Sequence, residues 1–319
     1  MTYYPLNILT IVSVFGGFLM DRQQFNILSI DGGGLRGVYP AAILCKVQEE
    51  LGINFYKEFD LISGTSTGAI IAAGLAIGME PCDILDLYKS EGDYIFDRKF
   101  LGGLVTPKYD SKNLRSVLDN QFGDRTFKDA KTRLMVTATN VSDGMPWVFK
   151  SMYHRRLSRD ENVRLSDAVL ASCSAPLYFN PYKYNEVLLA DGGLWANNPA
   201  LAALVEALGH NIRVKRYKIR LISIGTGFHI KHYPIEWAEK EWGAIRWGVG
   251  LIDIIFNMQS LSVEKYLETI MKEDQYLRIN FEFEKNISMD SIKSVEELID
   301  RALIDYYKYE NKLKELLGK

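Results

Sequence analysis

Residues 59–74 read FDLISGTSTGAIIAAG and form the most informative segment of the sequence. An apolar run over residues 59–62 leads into a serine between two glycines, and a helix of small residues follows. A serine at a sharp strand-to-helix corner is the pattern of a nucleophile elbow. Gly64 and Gly68 fit this reading because such a corner leaves no room for side chains beside the serine. The motif therefore predicts that Ser66 is a nucleophile at a helix N-terminus, where the dipole favours developing negative charge.

Strand and helix patterns alternate on both sides of this corner. Largely apolar segments such as residues 25–30, 133–139 and 220–224 are typical of strands in a buried parallel sheet. From about residue 235 helical periodicity takes over, and residues 294–317 are predicted to form an amphipathic helix. The chain is therefore predicted to hold one catalytic α/β domain with a C-terminal helical part.

Composition limits the classes of function. The chain has 319 residues and a net charge of −2, so no global field attracts a nucleic-acid polymer. The three cysteines, Cys45, Cys82 and Cys173, are odd in number and match no metal or disulfide spacing. We therefore expect no disulfide, no metal site, a reducing compartment and a cytoplasmic location.

The N-terminal extension, residues 1–19, has three interpretations. The first 20 residues carry no charge and are largely apolar from residue 6, but they are short for a membrane span and lack a basic signal region. The extension is a dispensable segment before a start at Met20, a membrane-associating segment or an extra packed element. We expect a catalytic domain over residues 20–230 and a helical region over residues 231–319 that packs on the same domain.

A glycine loop, residues 31–37 (DGGGLRG), lies between a predicted strand and a predicted helix. Consecutive glycines let several backbone N–H groups converge on one small anion. The G-x-G-x-x-G spacing also matches a dinucleotide fingerprint, but no convincing ribose-binding acid follows, and the next strand ends in the serine corner. We therefore predict that Gly32, Gly33 and Gly34 form an oxyanion hole, with Arg36 available for negative charge. A purely structural turn is the alternative.

A third motif, Asp191-Gly192-Gly193, ends the predicted strand over residues 186–190. An aspartate at the carboxyl end of a strand lies where open α/β sheets place their sites. Taken alone this tripeptide is more often an ordinary turn, so its weight depends on the other two motifs. Together they make Asp191 a candidate general base.

A histidine base is the alternative. The chain has four histidines, His154, His210, His229 and His232. A Ser-His-Asp triad needs a positioned histidine, and α/β-hydrolases place it after the acid in the chain. Residue order therefore leaves a triad with His229 or His232 open, although we expect surface or structural roles for all four.

The three motifs together resemble those of the patatin-like phospholipases. The resemblance rests on residues 31–37, 64–68 and 191–193 in that order, with further matches at 171–176 and 195–200, and it covers roughly residues 25–230. It implies a three-layer α/β/α fold with a mainly parallel central sheet. The motif residues it singles out, besides those of the dyad and the oxyanion hole, are Asp31, Gly37, Gly64, Thr67, Gly68, Gly192 and Gly193.

The resemblance also implies a mechanism. Ser66 would be the nucleophile and Asp191 the general base of a dyad without histidine, and the glycine-loop N–H groups would hold the oxyanion. The implied activity is hydrolysis of acyl esters in membrane phospholipids and related lipids through an acyl-serine, without a metal or another cofactor.

The same resemblance bears on partners. It implies transient contact with a membrane surface, with the inner face of the membrane as the expected site. Because some bacterial relatives are antiphage effectors switched on by cyclic nucleotides, such a nucleotide is a candidate activator. A small-ester hydrolase with a histidine triad and a dinucleotide-binding protein remain the alternatives, and the oligomeric state is not predicted.

Overall fold

The computed structural model of the chain describes residues 24–97, 106–230, 232–239, 250–285 and 287–319. The predicted N-terminal extension, residues 1–19, lies outside them. A mixed sheet of eight strands forms the centre of the described fold. The strands are β1 (Phe25–Ile30), β2 (Leu61–Thr65), β3 (Arg133–Asn140), β4 (Met145–Lys150), β5 (Tyr182–Tyr184), β6 (Val187–Asp191), β7 (Ile219–Ile224) and β8 (Tyr276–Ile279).

Helices connect and cover these strands. They are α1 (Val38–Leu51), α2 (Phe55–Glu58), α3 (Thr67–Ile77), α4 (Pro81–Ile95), α5 (Ser111–Phe122), α6 (Leu165–Ser172), α7 (Gly193–Ala196), α8 (Ala200–Leu208), α9 (Gly250–Ile270) and α10 (Val295–Leu317). None of the described helices is both long enough and apolar enough to cross a bilayer.

The sheet combines a parallel centre with an antiparallel flank. The strand order is β5-β6-β3-β2-β1-β7-β8, and β4 also pairs with β3. The neighbours from β3 through β8 in that order are parallel, whereas β6 and β4 run antiparallel to β3. The carboxyl ends of β1, β2 and β7 therefore meet at one edge, where the glycine loop and the serine corner begin.

Two apolar clusters occupy the two faces of the sheet. Successive strand residues point to opposite faces, and Leu28 and Ile62 belong to one cluster whereas Ile27 and Leu61 belong to the other. Helices such as α3 and α6 cover the first face, and α8 and α9 cover the second. The predicted α/β fold with three layers and a mainly parallel sheet is confirmed.

The C-terminal region adds to the same sheet. Strand β8 interrupts the C-terminal helices and pairs with β7 in parallel. Helix α10 then packs against α1, and the Tyr39 hydroxyl donates a hydrogen bond of 2.8 Å to Asp305 Oδ2. These contacts bring residues from both ends of the described chain into one core cluster.

The prediction that the cysteines form no disulfide is wrong. Cys45 and Cys82 are bonded, with their Cα atoms 4.8 Å apart, and Cys173 is the free, buried cysteine. The pair is 37 residues apart in sequence and is joined because α1 and α4 pack side by side. Spacing along the chain does not show such a helix-to-helix contact, so the sequence argument missed the bond.

Alkylation can test this disulfide. Without reductant, the denatured protein should incorporate one iodoacetamide, at Cys173, and after reduction it should incorporate three. Opening the bond should lower the free energy of unfolding by about 2–4 kcal/mol because the unfolded chain gains entropy. A Cys45→Ala/Cys82→Ala variant should show no response to reductant. Three alkylated cysteines in the non-reduced protein would contradict the bond.

Candidate active site

Ser66 occupies the sharp corner between β2 and α3. Its backbone has φ 53° and ψ −123°, a conformation that non-glycine residues rarely adopt and that stores strain. A Cβ atom on Gly64 would lie 2.1 Å from the Gly68 carbonyl oxygen, and one on Gly68 would lie 2.3 Å from the Ile30 carbonyl oxygen. Both glycines are therefore required by close backbone approach, as the sequence predicts for a nucleophile elbow.

Asp191 reaches the same place by strand register. It ends β6, where it lies opposite Ala138 of the antiparallel neighbour β3, one residue beyond the pair Thr65–Thr137. Ser66 follows Thr65 and Ala138 follows Thr137, so Asp191 and Ser66 lie at the same height along the sheet. Asp191 therefore ends its strand as expected, but β6 runs antiparallel to β3 and enters the sheet from the edge at which the parallel strands end.

The Asp191 carboxylate is fully buried and incompletely hydrogen-bonded. Its side chain has no solvent exposure, and Oδ1 accepts a 2.7 Å hydrogen bond from the Gly193 N–H. Oδ2 has no hydrogen-bond partner among the described residues. Asp191 and Ser66 line one cavity, so the free oxygen belongs to a carboxylate beside the elbow serine.

Burial raises the pKa of Asp191 to about 7, against the opposing effects of the nearby Ser66 hydroxyl and of the hydrogen bond from the Gly193 N–H. The Ser66 hydroxyl is close enough to lower this pKa, although the two side chains do not meet the geometry of a full hydrogen bond. A carboxylate with a pKa near neutrality is a far better proton acceptor than an exposed aspartate.

One segment after α6 holds both groups in place. The Ser66 N–H donates to Ser172 Oγ at 2.8 Å, and the Asp191 N–H donates to the Ser174 carbonyl at 3.0 Å. Cys173 lies between these anchors and lines the same cavity; burial and the nearby Asp191 charge raise the pKa of its thiol, which keeps it neutral. These anchors lie within residues 171–176, one of the further matches to the family pattern, and the sequence alone does not indicate this role.

The glycine loop offers fewer free donors than predicted. The Gly32 N–H donates to the Asn197 carbonyl at 3.0 Å, and the Gly32 carbonyl accepts from Thr226 Oγ1 at 2.7 Å. The N–H groups of Gly33 and Gly34 have no acceptor among the described residues. Gly34 also lines the Ser66 cavity, and its φ of +59° requires glycine.

An ion pair fixes the beginning of this loop. Both Asp31 carboxylate oxygens accept hydrogen bonds from Arg278, at 2.9 and 2.6 Å, and both side chains are almost fully buried. Arg278 also donates to Ser223 Oγ at 2.8 Å and lies 3.4 Å from Glu264. Arg278 therefore ties β1, β7, β8 and α9 together at the loop. Nothing in its sequence context singled it out.

Arg36 is not part of the Ser66 cavity. Its side chain is buried, Nε donates to the Gly33 carbonyl at 3.3 Å, and the guanidinium carbon lies 5.7 Å from the centre of the Phe283 ring. Arg36 lines a second cavity instead, together with His229 and Asp253. The expectation that Arg36 serves negative charge beside Ser66 is therefore not supported.

The other motif residues are explained by close packing. A Cβ on Gly37 would lie 2.2 Å from Thr67 Oγ1, and one on Gly192 would lie 2.3 Å from Thr137 Oγ1. A Cβ on Gly193 would meet the Phe256 ring at 2.7 Å. These glycines bring the loop, the elbow and the aspartate within contact of one another.

The histidines lie elsewhere. Among the described lining residues of the Ser66 cavity there is no histidine, lysine or arginine. His229 lines the second cavity, and its Nδ1 meets the Phe283 carbonyl at 3.2 Å. His232 is exposed. The geometry therefore does not support a histidine triad. It does not support a dinucleotide site on the glycine loop either, because both backbone groups of Gly32 already form hydrogen bonds with protein atoms.

The cavity beside Ser66 has apolar walls. It spans about 750 Å³ when its open mouth and the adjoining solvent are included. Its walls come largely from α4 and α5, with Leu87, Ile95, Leu114, Val117 and Leu118. Such a wall suits a hydrocarbon chain, and its low polarity accounts for the raised pKa of Asp191.

The sequence matches a known family and is similar to several named proteins. The family described as patatin-like phospholipase matches residues 28–204. A cGAMP-activated phospholipase of Pseudomonas aeruginosa is 32% identical, over 88% of this chain and 84% of the relative. A cUMP-AMP-activated phospholipase of Escherichia coli is 31% identical, over 81% and 82%. Patatin-15 of Solanum tuberosum is 28% identical, over 81% and 76%.

A solved structure shares the fold. The crystal structure of VipD from Legionella pneumophila matches with a TM-score of 0.50 and 14% identity, covering 88% of this chain and 67% of VipD. At that identity the similarity concerns the arrangement of strands and helices alone.

Removing the Arg278 charge should destabilise the protein. Arg278→Met leaves the Asp31 carboxylate buried without its partner, which costs about 3–5 kcal/mol of unfolding free energy. Urea denaturation measures the change, and the double variant Asp31→Asn/Arg278→Met should lose less than the single one. A single variant within about 1 kcal/mol of wild type would contradict this role for the ion pair.

Neutralising Asp191 should stabilise the protein at high pH. Folding raises the pKa of Asp191 to about 7, so ionisation of Asp191 opposes folding. The resulting loss of unfolding free energy begins near pH 4, grows as pH rises and levels off above pH 7, at up to about 4 kcal/mol. Asp191→Asn should therefore gain stability over wild type as pH rises from 4 to 8. The control Met152→Ala, at an exposed position without an ionisable group, should show a flat difference. A flat difference for Asp191→Asn would refute the raised pKa.

Proposed function

Because the chain belongs to the patatin-like phospholipase family, we propose that it cleaves fatty-acyl esters of membrane phospholipids with Ser66 as nucleophile and Asp191 as base. The chain is a lipid acyl hydrolase by family, and the residue roles are our assignment. One observation carries it. A serine on a strained elbow and a fully buried carboxylate with a free oxygen line the same apolar cavity.

The first half of the reaction forms an acyl-enzyme. The acyl chain enters the apolar cavity, and Ser66 Oγ attacks the ester carbonyl while Asp191 Oδ2 accepts the hydroxyl proton. The oxyanion receives hydrogen bonds from the N–H groups of Gly33 and Gly34, and the Thr67 N–H at the start of α3 adds to them. When the intermediate collapses, Asp191 returns the proton to the leaving alcohol, and an acyl-Ser66 ester remains.

The second half releases the fatty acid. Asp191 accepts a proton from a water molecule, whose oxygen attacks the acyl-Ser66 carbonyl at the same oxyanion site. Collapse breaks the bond to Ser66 Oγ, and Asp191 gives its proton to that oxygen. The free enzyme is restored with Asp191 ionised, so the cycle needs no cofactor and no group beyond these residues.

Access to the substrate requires contact with a lipid surface. The cavity walls are apolar, and a phospholipid chain has to leave the bilayer to enter them. We therefore propose transient contact with the membrane surface, at its inner face for a cytoplasmic protein. We also propose activation by a cyclic nucleotide, because two of the similar proteins are named for activation by cGAMP and by cUMP-AMP.

The dyad can be tested by substitution. Ser66→Ala and Asp191→Asn should each lower fatty-acid release from mixed phospholipid vesicles by more than about 1,000-fold. A fluorophosphonate probe should label the wild type and not Ser66→Ala. The variant His232→Ala, at an exposed position, should retain activity. Loss of activity in this variant would favour a histidine triad. Activity within tenfold of wild type in either dyad variant would overturn the assignment.

The same base predicts a pH profile. Only ionised Asp191 accepts the Ser66 proton, and its pKa is about 7, so kcat/KM should rise with pH through 7 and then level off. Initial rates of release from vesicles between pH 5 and pH 9 measure this. A profile that is flat over that range would contradict a base with this pKa.

A further inference from the structure

A second cavity lies beyond the glycine loop from Ser66. It spans about 810 Å³ including its mouth. Its walls come from the turn after the loop, from the segment after β7 and from α9, and they include Arg36, Phe228, His229, Asp253, Asn257 and Met258. Unlike the described lining of the cavity beside Ser66, it contains a cationic side chain, Arg36, and an amide, Asn257, together with the Asp253 carboxylate and apolar side chains.

Arg36 is the unusual member of this wall. It is 7% exposed, yet among the described residues its side chain makes one hydrogen bond, from Nε to the Gly33 carbonyl at 3.3 Å. Buried guanidinium groups are normally paired through their terminal nitrogens. The Asp253 charge acts on Arg36 without a hydrogen bond to it, and burial lowers the pKa of Arg36. A bound anion would offset that burial.

The cavity beside Ser66 does not offer such a site. Each cavity holds a carboxylate, Asp191 in one and Asp253 in the other, but the described lining of the Ser66 cavity has no cationic side chain to offset it. Of the two cavities, the one with Arg36 is therefore the one suited to a phosphate. The terminal nitrogens of this guanidinium have no hydrogen-bond partner among the described residues, and their planar arrangement matches the paired oxygens of a phosphodiester.

We propose that this second cavity binds a cyclic dinucleotide, with Arg36 holding a phosphate, and that binding acts on catalysis through the glycine loop. The proposal rests on the nucleotide activation proposed above. His229 Nδ1 is satisfied by the Phe283 carbonyl at 3.2 Å, so its other ring nitrogen is left to accept a base N–H. Phe228 and Met258 supply the apolar surface that a base requires.

One peptide group links the two cavities. The Gly33 carbonyl accepts both the Arg36 N–H and Arg36 Nε, each at 3.3 Å. That carbonyl shares a rigid plane with the Gly34 N–H, one of the proposed oxyanion donors. A phosphate that repositions the guanidinium therefore changes the direction of the Gly34 N–H. Activation follows if the nucleotide binds the productive orientation more tightly than the other.

Calorimetry on Ser66→Ala protein can test the site without turnover. The probes are cGAMP and cUMP-AMP, with inorganic phosphate and glycerophosphocholine as separate arms. In that background Arg36→Gln should raise the Kd of the bound dinucleotide at least tenfold. Met258→Trp fills the cavity from α9, away from the loop, and should do the same. Met152→Trp, at an exposed position elsewhere, is the matched control and should leave the Kd unchanged.

Several results would overturn the site. The first two are an unchanged Kd in both cavity variants and no binding of either dinucleotide. The third is binding of inorganic phosphate or glycerophosphocholine as tight as that of the dinucleotides. Tight phosphate binding would indicate an adventitious ion only, and tight glycerophosphocholine binding would indicate a lipid headgroup. Fatty-acid release by wild type, with and without nucleotide, separates this inference from the proposed function. If the wild type releases fatty acid but binds neither dinucleotide, the proposed hydrolase function stands and the proposed nucleotide site is wrong. If the dinucleotide binds and the cavity variants lose this binding, but the wild type releases no fatty acid, the nucleotide site stands and the proposed hydrolase function is wrong.

Discussion

The burial of Asp191 is the constraint on which the rest of the site depends. A carboxylate with no solvent exposure and one unpartnered oxygen opposes folding when it is ionised. The fold tolerates it because the surrounding sheet and helices bury a large apolar area. The same burial makes the group a base near neutral pH, so the feature that lowers stability is the one that the proposed chemistry needs.

The glycine loop over residues 31–37 is held in place by the region that follows the family match. That match ends at residue 204, but Arg278 clamps Asp31, and the Met289 carbonyl accepts from the Leu35 N–H at 2.7 Å. Thr226 holds the Gly32 carbonyl from the end of β7. The C-terminal strand and helices are therefore structural components of the site.

Local features were predictable from the sequence and long-range ones were not. Gly64 and Gly68 indicate the elbow because a Cβ atom at either position would collide with nearby backbone, and at Gly64 this backbone is only four residues away in the chain. Asp191 was found by its motif, although the antiparallel register that places it does not follow from its own strand. The Cys45–Cys82 bond and the Arg278 clamp join segments far apart in sequence. The occupied Gly32 N–H was missed for the same reason, since its acceptor lies on Asn197.

The two cavities separate charges that would otherwise cancel. If Arg36 stood beside Asp191, the ion pair would lower the pKa of the carboxylate and remove its basicity. The four-residue turn Gly34–Gly37 keeps them apart, because Gly34 faces the Ser66 cavity and Arg36 lines the other. The loop thus keeps a carboxylate whose pKa is about 7 on one side. On the other side it holds a guanidinium whose terminal nitrogens have no hydrogen-bond partner among the described residues. In the proposed mechanism, the peptide between Gly33 and Gly34 connects the two sides, so that a bound anion acts on the proposed oxyanion donors without meeting the carboxylate.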